Sequence, residues 1–258
     1  MSGSGVNFRA AYAIFKNELL RAFRAVFGSI VSPVLTTSLY FIVFGAAIGG
    51  RINEIDGVSY GAFIVPGLLM LTLLAQSTSN ASFGIYMPRF TGGIYELLSA
   101  PVGVAETLIG FVGAAAAKSL ILAAIILLTA LLFVDYQIAH PFYAVGYILL
   151  VAAAFSLFGF ILGIWADGFE KLQIVPMLIL TPLTFLGGTF YSIDMLGEPW
   201  RTVAMFNPIV YLVNGLRWTF IGTSDFPIML SFGMTLAFLA VCVVIITLIF
   251  RTGWRLRE

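Results

Sequence analysis

Six long apolar stretches, separated by short polar segments, dominate this chain. Most of them run for about 18 to 25 residues, which is the length that an α-helix needs to cross roughly 30 Å of hydrocarbon. The pattern therefore predicts an all-α polytopic membrane protein with six transmembrane helices. The stretches begin near Ile30, Phe63, Thr107, Phe142, Ile174 and Pro227.

Composition agrees with a membrane-embedded bundle. The 258 residues are 60% hydrophobic and only 10% charged, which leaves room for one six-span bundle and no sizeable soluble domain. A net charge of +1 gives no indication of nucleic-acid binding. The single cysteine, Cys242, and the single histidine, His140, cannot build a metal site, so no metal and no catalytic residue is predicted.

The N-terminal segment, residues 1–29, is predicted to be an amphipathic interfacial helix. An apolar stripe recurs at spacings of three and four residues, while Arg9, Lys16, Arg21 and Arg24 take the other side. A basic face opposite an aromatic face is typical of a helix lying on an anionic membrane surface. The alternative is a solvated helix that packs on a partner. The stripe consists of Phe8, Tyr12, Phe15, Leu19, Phe23 and Val26.

Polar residues inside the spans predict where the interior lies. The later half of the second span carries amides and hydroxyls that need partners in hydrocarbon, so this face is expected to turn inward. Lys118, in the third span, is either a functional group in the membrane or a side chain that reaches the near surface. Glycine pairs occur in the first and fourth spans, Gly45/Gly49 and Gly159/Gly163, as candidate close contacts. The inward-facing set in the second span includes Gln76, Ser77 and Asn80.

The loop from Met87 to Glu106 is predicted to dock on another protein. Proline and glycine punctuate it, and Ile94–Ala100 can form a short helix between them. Apolar side chains exposed outside the bilayer indicate a docking surface; a helix resting on the lipid surface is the alternative. The exposed set beside Glu96 is Tyr95, Leu97 and Leu98.

Residues 192–226 are predicted to form re-entrant helices before the last span. The preceding fifth span contains Pro176 and Pro182, which predict a kink or break. After it, aromatic residues alternate with charged ones, and Pro199, Pro208 and Gly215 divide the segment into pieces too short to cross. Such backbone is tolerated at membrane depth only where protein or water covers it.

Three residues of this segment, Asn207, Pro208 and Arg217, have predicted structural roles. Asn207 and Pro208 are expected to break and cap the backbone between two helical pieces. Arg217 is costly in an apolar helix unless it is paired, and Glu198 or Asp194 is the expected partner.

Charge placement predicts both termini on the cytoplasmic side. An even number of spans puts the termini on one side, where nine Lys and Arg residues then lie, against three on the other side. The nine are Arg9, Lys16, Arg21, Arg24, Arg89, Lys171, Arg251, Arg255 and Arg257, and the three are Arg51, Arg201 and Arg217. The chain is thus divided into residues 1–29, the interfacial helix; 30–191, spans one to five; 192–226, the extracytoplasmic re-entrant region; 227–250, span six; and 251–258, a cytoplasmic tail.

Two stretches of the sequence resemble a known family. They are RFTGGIYELLSAPV in the loop after the second span and TPLTFLGGTFYSIDML with NPIVYLVNGLRW around the re-entrant region. Together with the N-terminal helix and six spans, they resemble the ABC-2-type permeases, the membrane subunits of bacterial ATP-binding-cassette exporters. The resemblance extends over nearly the whole chain.

The resemblance implies a multi-pass protein of the bacterial inner membrane that exports an amphipathic molecule. Two permease copies, expected to be identical, would work with two copies of an ABC ATPase subunit within membrane lipid. The permease itself would bind no cofactor, and ATP and Mg would be held by the ATPase. The loop after span two would couple to that ATPase, and the re-entrant segment would close the exit. The implied coupling residues are Arg21, Arg24, Arg89, Phe90, Tyr95, Glu96, Leu97 and Leu98, and the path or gate residues are Gln76, Ser77, Asn80, Phe185, Phe190, Asn207, Pro208 and Arg217.

Two other classes of function compete with this interpretation. A secondary transporter or channel usually needs paired ionisable groups in mid-membrane, and here the acidic residues cluster at span ends. A membrane enzyme would need a cluster of reactive side chains, which one histidine and one cysteine do not supply. Gly113–Ser119 superficially resembles a phosphate-binding loop, but its spacing is one residue short and no strand precedes it. The chain is therefore not expected to be an enzyme.

Overall fold

Six helices are long and apolar enough to cross a bilayer in the part of the chain that the structure describes. A computed structural model describes residues 7–24, 27–49, 54–93 and 102–253, and leaves side chains 46–48 undescribed. The predicted all-α architecture with six spans is confirmed. The spans are span 1, Phe27–Gly45; span 2, Tyr60–Thr91; span 3, Val104–Ala130; span 4, Pro141–Trp165; span 5, Phe169–Leu186; and span 6, Ile228–Thr252.

Spans 1 and 5 change helical type along their length. Span 1 begins with a π-helix, Phe27–Val31, continues as an α-helix, Ser32–Tyr40, and ends within a second π-helix, Phe41–Ile48. Span 5 consists of Phe169–Ile174, a π-helix over Val175–Leu180 and Thr181–Leu186. Pro176 and Pro182 are the second residues of the last two segments, so the predicted interruption of span 5 is present as a change of winding. Both spans begin earlier than predicted, at Phe27 and Phe169.

Span 2 is much longer than predicted. Its 32 residues correspond to about 48 Å of helix, well beyond roughly 30 Å of hydrocarbon. Pro88 lies inside this helix, so the expectation that a loop begins at Met87 is wrong. The helix ends only where Gly92 adopts a left-handed conformation with φ of 79°, which glycine tolerates because it has no Cβ. Thus Arg89 and Phe90 are helical residues.

The N-terminal helix, Phe8–Phe23, packs along span 3. Ala11 is buried in this contact, and a Cβ at Gly110 or Gly113 of span 3 would meet Ile14 or Phe15. Part of the predicted apolar stripe lies elsewhere: Phe8 and Tyr12 are 75% and 64% exposed. One face of the N-terminal helix therefore packs on span 3, while Phe8 and Tyr12 remain exposed.

A two-residue β-hairpin connects spans 1 and 2. Strands Glu54–Ile55 and Val58–Ser59 pair antiparallel around Asp56 and Gly57, whose φ angles are 53° and 79°. Two positive φ angles define the tight turn that favours Asp-Gly. The hairpin marks one end of the bundle, called here the hairpin end.

Spans 2 and 4 form the centre of the bundle. In their apolar windows, 67% and 61% of the residues are buried, against 11% in span 1 and 22% in spans 5 and 6. Gly159 and Gly163 lie against the backbone of Thr78 and Ser82, so this glycine pair makes the close contact expected of small residues. The Gly45/Gly49 pair meets no neighbouring described element.

The segment between spans 5 and 6 contains only short helices, as predicted. They are a 3₁₀ turn, Ile193–Met195, the helix Trp200–Met205, and Pro208–Ile221, called here the half-helix. The half-helix has 14 residues and spans about 21 Å, too short to cross. Gly215 does not interrupt it, contrary to expectation; its missing side chain makes room for the Tyr147 ring of span 4. The half-helix is therefore a buried element of the bundle, packed against spans 2, 4 and 6.

Candidate functional site

A buried ion pair lies at the hairpin end of the bundle. Arg217 of the half-helix is 1% exposed, and its Nη1 donates to Asp225 Oδ2 at 3.3 Å. Its Nη2 donates to the Gly188 carbonyl, and its guanidinium carbon lies 4.1 Å from the centre of the Phe63 ring. Arg217 therefore connects the half-helix with span 2 and with the turn after span 5, Gly188–Met195.

The predicted partners of Arg217 are wrong. Asp194 pairs with Arg201 at 2.7 Å, and Glu198 accepts a hydrogen bond from Thr202 Oγ1 at 2.7 Å. The actual partner comes from the other direction, because Gly222 ends the half-helix in a left-handed conformation and turns the chain back. Asp225 thereby returns alongside Arg217.

A second carboxyl group, that of Asp56, lies within electrostatic reach of the Arg217–Asp225 pair. Partial burial raises the pKa of the Asp56 carboxyl above its usual value; the carboxylates of Asp225 and Asp194 raise it further, while Arg217 opposes the rise. Asp56 is at the tip of the hairpin. The charge at the hairpin tip therefore interacts with charges of the half-helix and of the turn after span 5.

Asn207 and Pro208 break and cap the chain as predicted. Asn207 Oδ1 accepts from the Ile209 amide at 3.0 Å, while its Nδ2 donates to the Leu183 carbonyl at 2.6 Å. Pro208 occupies the first position of the half-helix, where no amide is needed. The break is therefore fixed to span 5 by one side chain.

Phe185 and Phe190 belong to an aromatic cluster between span 1 and the end of span 5. The ring centres of Phe44 and Phe190 are 4.2 Å apart, and Tyr40 contacts both Phe185 and Phe190 at about 6 Å. Tyr60 OH also donates to the Phe190 carbonyl at 3.1 Å. Span 1 therefore contacts Phe185 and Phe190 through aromatic rings, and span 2 contacts Phe190 through a hydrogen bond.

The polar row of span 2 faces the protein interior at several positions. Ser77 and Thr78 are fully buried, and Gln76 and Asn80 are half-buried. In the described residues, the Ser77 and Thr78 hydroxyls and Asn80 Nδ2 have no hydrogen-bond partner. Lys118 is 3% exposed and donates to Asn80 Oδ1 at 3.0 Å. Lys118 therefore lies inside the bundle rather than reaching the near surface.

At the end of span 2 away from the hairpin, Arg89 anchors span 2 to span 4. Its Nη1 donates to the carbonyls of Gly163 at 3.0 Å and Ile164 at 2.5 Å, at the end of span 4. A cation is favourable there because the last carbonyls of a helix lack intrahelical donors. Phe90 packs on Phe169, the first residue of span 5, with ring centres 5.2 Å apart.

Of the other predicted coupling residues, the structure describes Arg21 and Arg24. Arg21 pairs with Glu18 of its own helix at 2.6 Å. Arg24 is exposed just beyond the end of the N-terminal helix. The remaining four, Tyr95, Glu96, Leu97 and Leu98, lie outside the described residues.

Two elements of this region had no sequence-based prediction. Asp225 was not singled out, and its role depends on a chain reversal that only the folded structure reveals. The hairpin had a local signal, Asp56–Gly57, which is a strong two-residue turn sequence. Within the described residues no group of three His, Cys, Asp or Glu side chains could hold a metal ion.

Six apolar spans with a buried half-helix define a multi-pass membrane protein, and comparison with known proteins assigns its family. Residues 9–221 match the model of the ABC-2 type transporter family. The chain is 36% identical over 249 residues to the inner membrane transport permease YadH of Escherichia coli K12, covering 96% of this chain and 97% of the relative. It is 24% identical over 241 residues to nodulation protein J of Rhizobium leguminosarum bv. viciae, covering 93% of each.

The chain belongs to the ABC-2 type transporter family. It is thus a multi-pass inner membrane protein and the membrane permease of an ABC transporter rather than an enzyme. The family implies association with an ABC ATPase subunit.

Proposed function

We propose that this chain is the permease subunit of an ATP-driven exporter. It provides the transmembrane path for an amphipathic substrate, such as a lipid, a glycolipid, an oligo- or polysaccharide, or a drug. The observation that carries the proposal is the family match over residues 9–221. The inner membrane transport permease of Escherichia coli, similar over nearly the full length, gives further support.

The working assembly has two identical permease copies and two ATPase subunits that hold ATP and Mg. Spans 1, 5 and 6 offer surface for a second copy, because only 11%, 22% and 22% of the residues in their apolar windows are buried by their own chain. The path runs between the copies. In the polar row of span 2, the half-buried Gln76 and Asn80 are proposed to line this path, whereas Ser77, expected there as well, is buried within its own copy.

Opposite ends of the bundle have different roles in this proposal. The segment from Tyr191 to Trp218, with Phe185 and Phe190 leading into it, forms the exit gate on the extracytoplasmic side. The end near Arg89 and Phe90 faces the ATPase, together with Arg21 and Arg24. Arg89 and Phe90 already contact spans 4 and 5, so a push on the adjoining loop would reach both spans.

Both termini are proposed to be cytoplasmic, and reporter fusions test this. A reporter that is active only in the cytoplasm should be active when it is placed after Arg257. A reporter that is active only outside the cytoplasm should be active when it is inserted within Ser192–Glu198. This is expected because basic residues are retained on the cytoplasmic side. Activity of both reporters on the same side contradicts the topology.

ATP-dependence is tested by reconstituting the permease with its ATPase in lipid vesicles. Substrate movement should require hydrolysable ATP and should stop when the ATPase is omitted. Movement driven by an ion gradient alone identifies a secondary transporter instead.

Coupling through the loop after span 2 is tested by Leu97→Asp and Leu98→Asp. An aspartate should not enter an apolar groove on the ATPase, so transport per ATP hydrolysed should fall by about tenfold or more while the permease still folds. The matched control is Leu132→Asp, the same change at an exposed position at the opposite end of the bundle and outside the proposed gate. Normal transport by both loop variants indicates a loop that only rests on lipid.

A further inference from the structure

We propose that Asp225 is the positioning residue that joins the half-helix and the turn after span 5 into a single cap over the hairpin end. The cap consists of the half-helix, Pro208–Ile221, and the turn Gly188–Met195. Its existence is independent of the proposed function, whereas its role in the exit gate rests on that function.

One carboxylate collects donors from both parts of the cap. Asp225 accepts from Arg217 Nη1 of the half-helix at 3.3 Å. It also accepts from Ser192 Oγ at 2.7 Å and from the Ile193 amide at 3.0 Å, both in the turn. The Asp225 side chain is 5% exposed, so water competes little for these donors.

The backbone around Asp225 is held just as firmly. Asn214 Oδ1, one turn before Arg217, accepts from the amides of Asp225 at 2.8 Å and Phe226 at 3.3 Å. Asn214 Nδ2 donates to Ser231 Oγ in span 6 at 2.9 Å. Because the backbone of Asp225 is fixed to the half-helix and span 6, its carboxylate is a stationary anchor for the turn.

The second ion pair of this region is not equivalent. Arg201 and Asp194 also join the turn to a helix, but their side chains are 40% and 56% exposed, where an ion pair contributes little. Asp225 is therefore the anchor of the turn. An exit that opens here must either move the cap as one body or release both Asp225 and the contact between Arg217 and the Gly188 carbonyl.

Hydrogen exchange on the purified full-length permease in lipid tests the anchor without any transport assay. Asp225→Asn weakens acceptance from Ile193 and leaves Arg217 without its anion, so the amides of Ile193–Met195 should exchange about tenfold faster or more. The matched control, Arg201→Gln, removes only the exposed pair from outside the measured segment and should leave exchange unchanged. Equal exchange in the two variants overturns the proposal.

Two further variants keep the test informative if Asp225→Asn lowers the yield of folded protein. Ser192→Ala removes one donor and keeps the ion pair, and should give a smaller increase in exchange at the Ile193 amide, which is the readout here because Ser192 Oγ itself accepts from the Asp194 amide. Asp225→Glu keeps the charge and should restore part of the protection. Unchanged exchange in Ser192→Ala combined with no rescue by glutamate also overturns the anchor.

The link to the gate is tested separately in the complex with the ATPase. A loosened cap should lower transport per ATP hydrolysed several-fold while basal hydrolysis is retained, which loss of folded protein alone would not do. If exchange rises in Asp225→Asn but transport per ATP is unchanged, the cap exists and does not gate. If the chain transports without ATP, the proposed function fails and the exchange result still stands.

Discussion

Replacing Arg217 by alanine should remove most of the folded permease, whereas replacing Arg251 by alanine should leave its yield near that of the wild type. Arg217 is 1% exposed, and its loss leaves the buried carboxylate of Asp225 without its cation. Breaking a buried pair in this way costs about 3–5 kcal/mol, a large share of the roughly 5–15 kcal/mol that stabilises a protein. Arg251 is exposed in the last turn of span 6, where water can solvate it.

Yield after extraction and thermal stability in detergent measure the difference, and transport by the assembled complex measures its consequence. A double variant, Arg217→Met with Asp225→Asn, should recover part of the stability, because no uncompensated charge is then buried. Near-normal yield and transport for Arg217→Ala would show that Arg217 is not needed by the half-helix or the gate.

The six spans were predictable from the sequence because the bilayer sets a simple requirement of length and polarity. The end of span 2 was not predictable, because a proline usually interrupts a helix, whereas Pro88 lies inside one. Arg89, one residue later, bonds the end of span 4. Such a contact between distant segments is not visible in local sequence.

The need of Arg217 for an anion was also predictable, since burying an unpaired charge is costly. Its partner was not, because Asp194 and Asp225 lie on either side of it in the chain and both are acidic. Only the reversal at Gly222 decides between them. The partner of Lys118 was likewise not predictable, because Asn80 belongs to another span.

A substitution at Gly159 should have the second large effect. A Cβ at this position would collide with the backbone of Thr78 in span 2, and backbone cannot move aside as a flexible side chain can. Gly163 lies against Ser82 one turn further on, so the two central spans would have to separate along this seam. Overpacking of this kind costs about 1–3 kcal/mol or more.

Gly159→Ala is therefore expected to lower the unfolding temperature of the purified permease by about 5 °C or more. Gly146→Ala is the matched control, because Gly146 is in the same span and a Cβ added there would meet no atom within 4 Å. That substitution should be neutral or slightly stabilising, since alanine favours a helix more than glycine does. If both variants unfold at the wild-type temperature, spans 2 and 4 do not approach as closely as described. A selective loss at Gly159 shows that their separation is set by glycine at this contact, because the two substitutions add the same methyl group to the same helix.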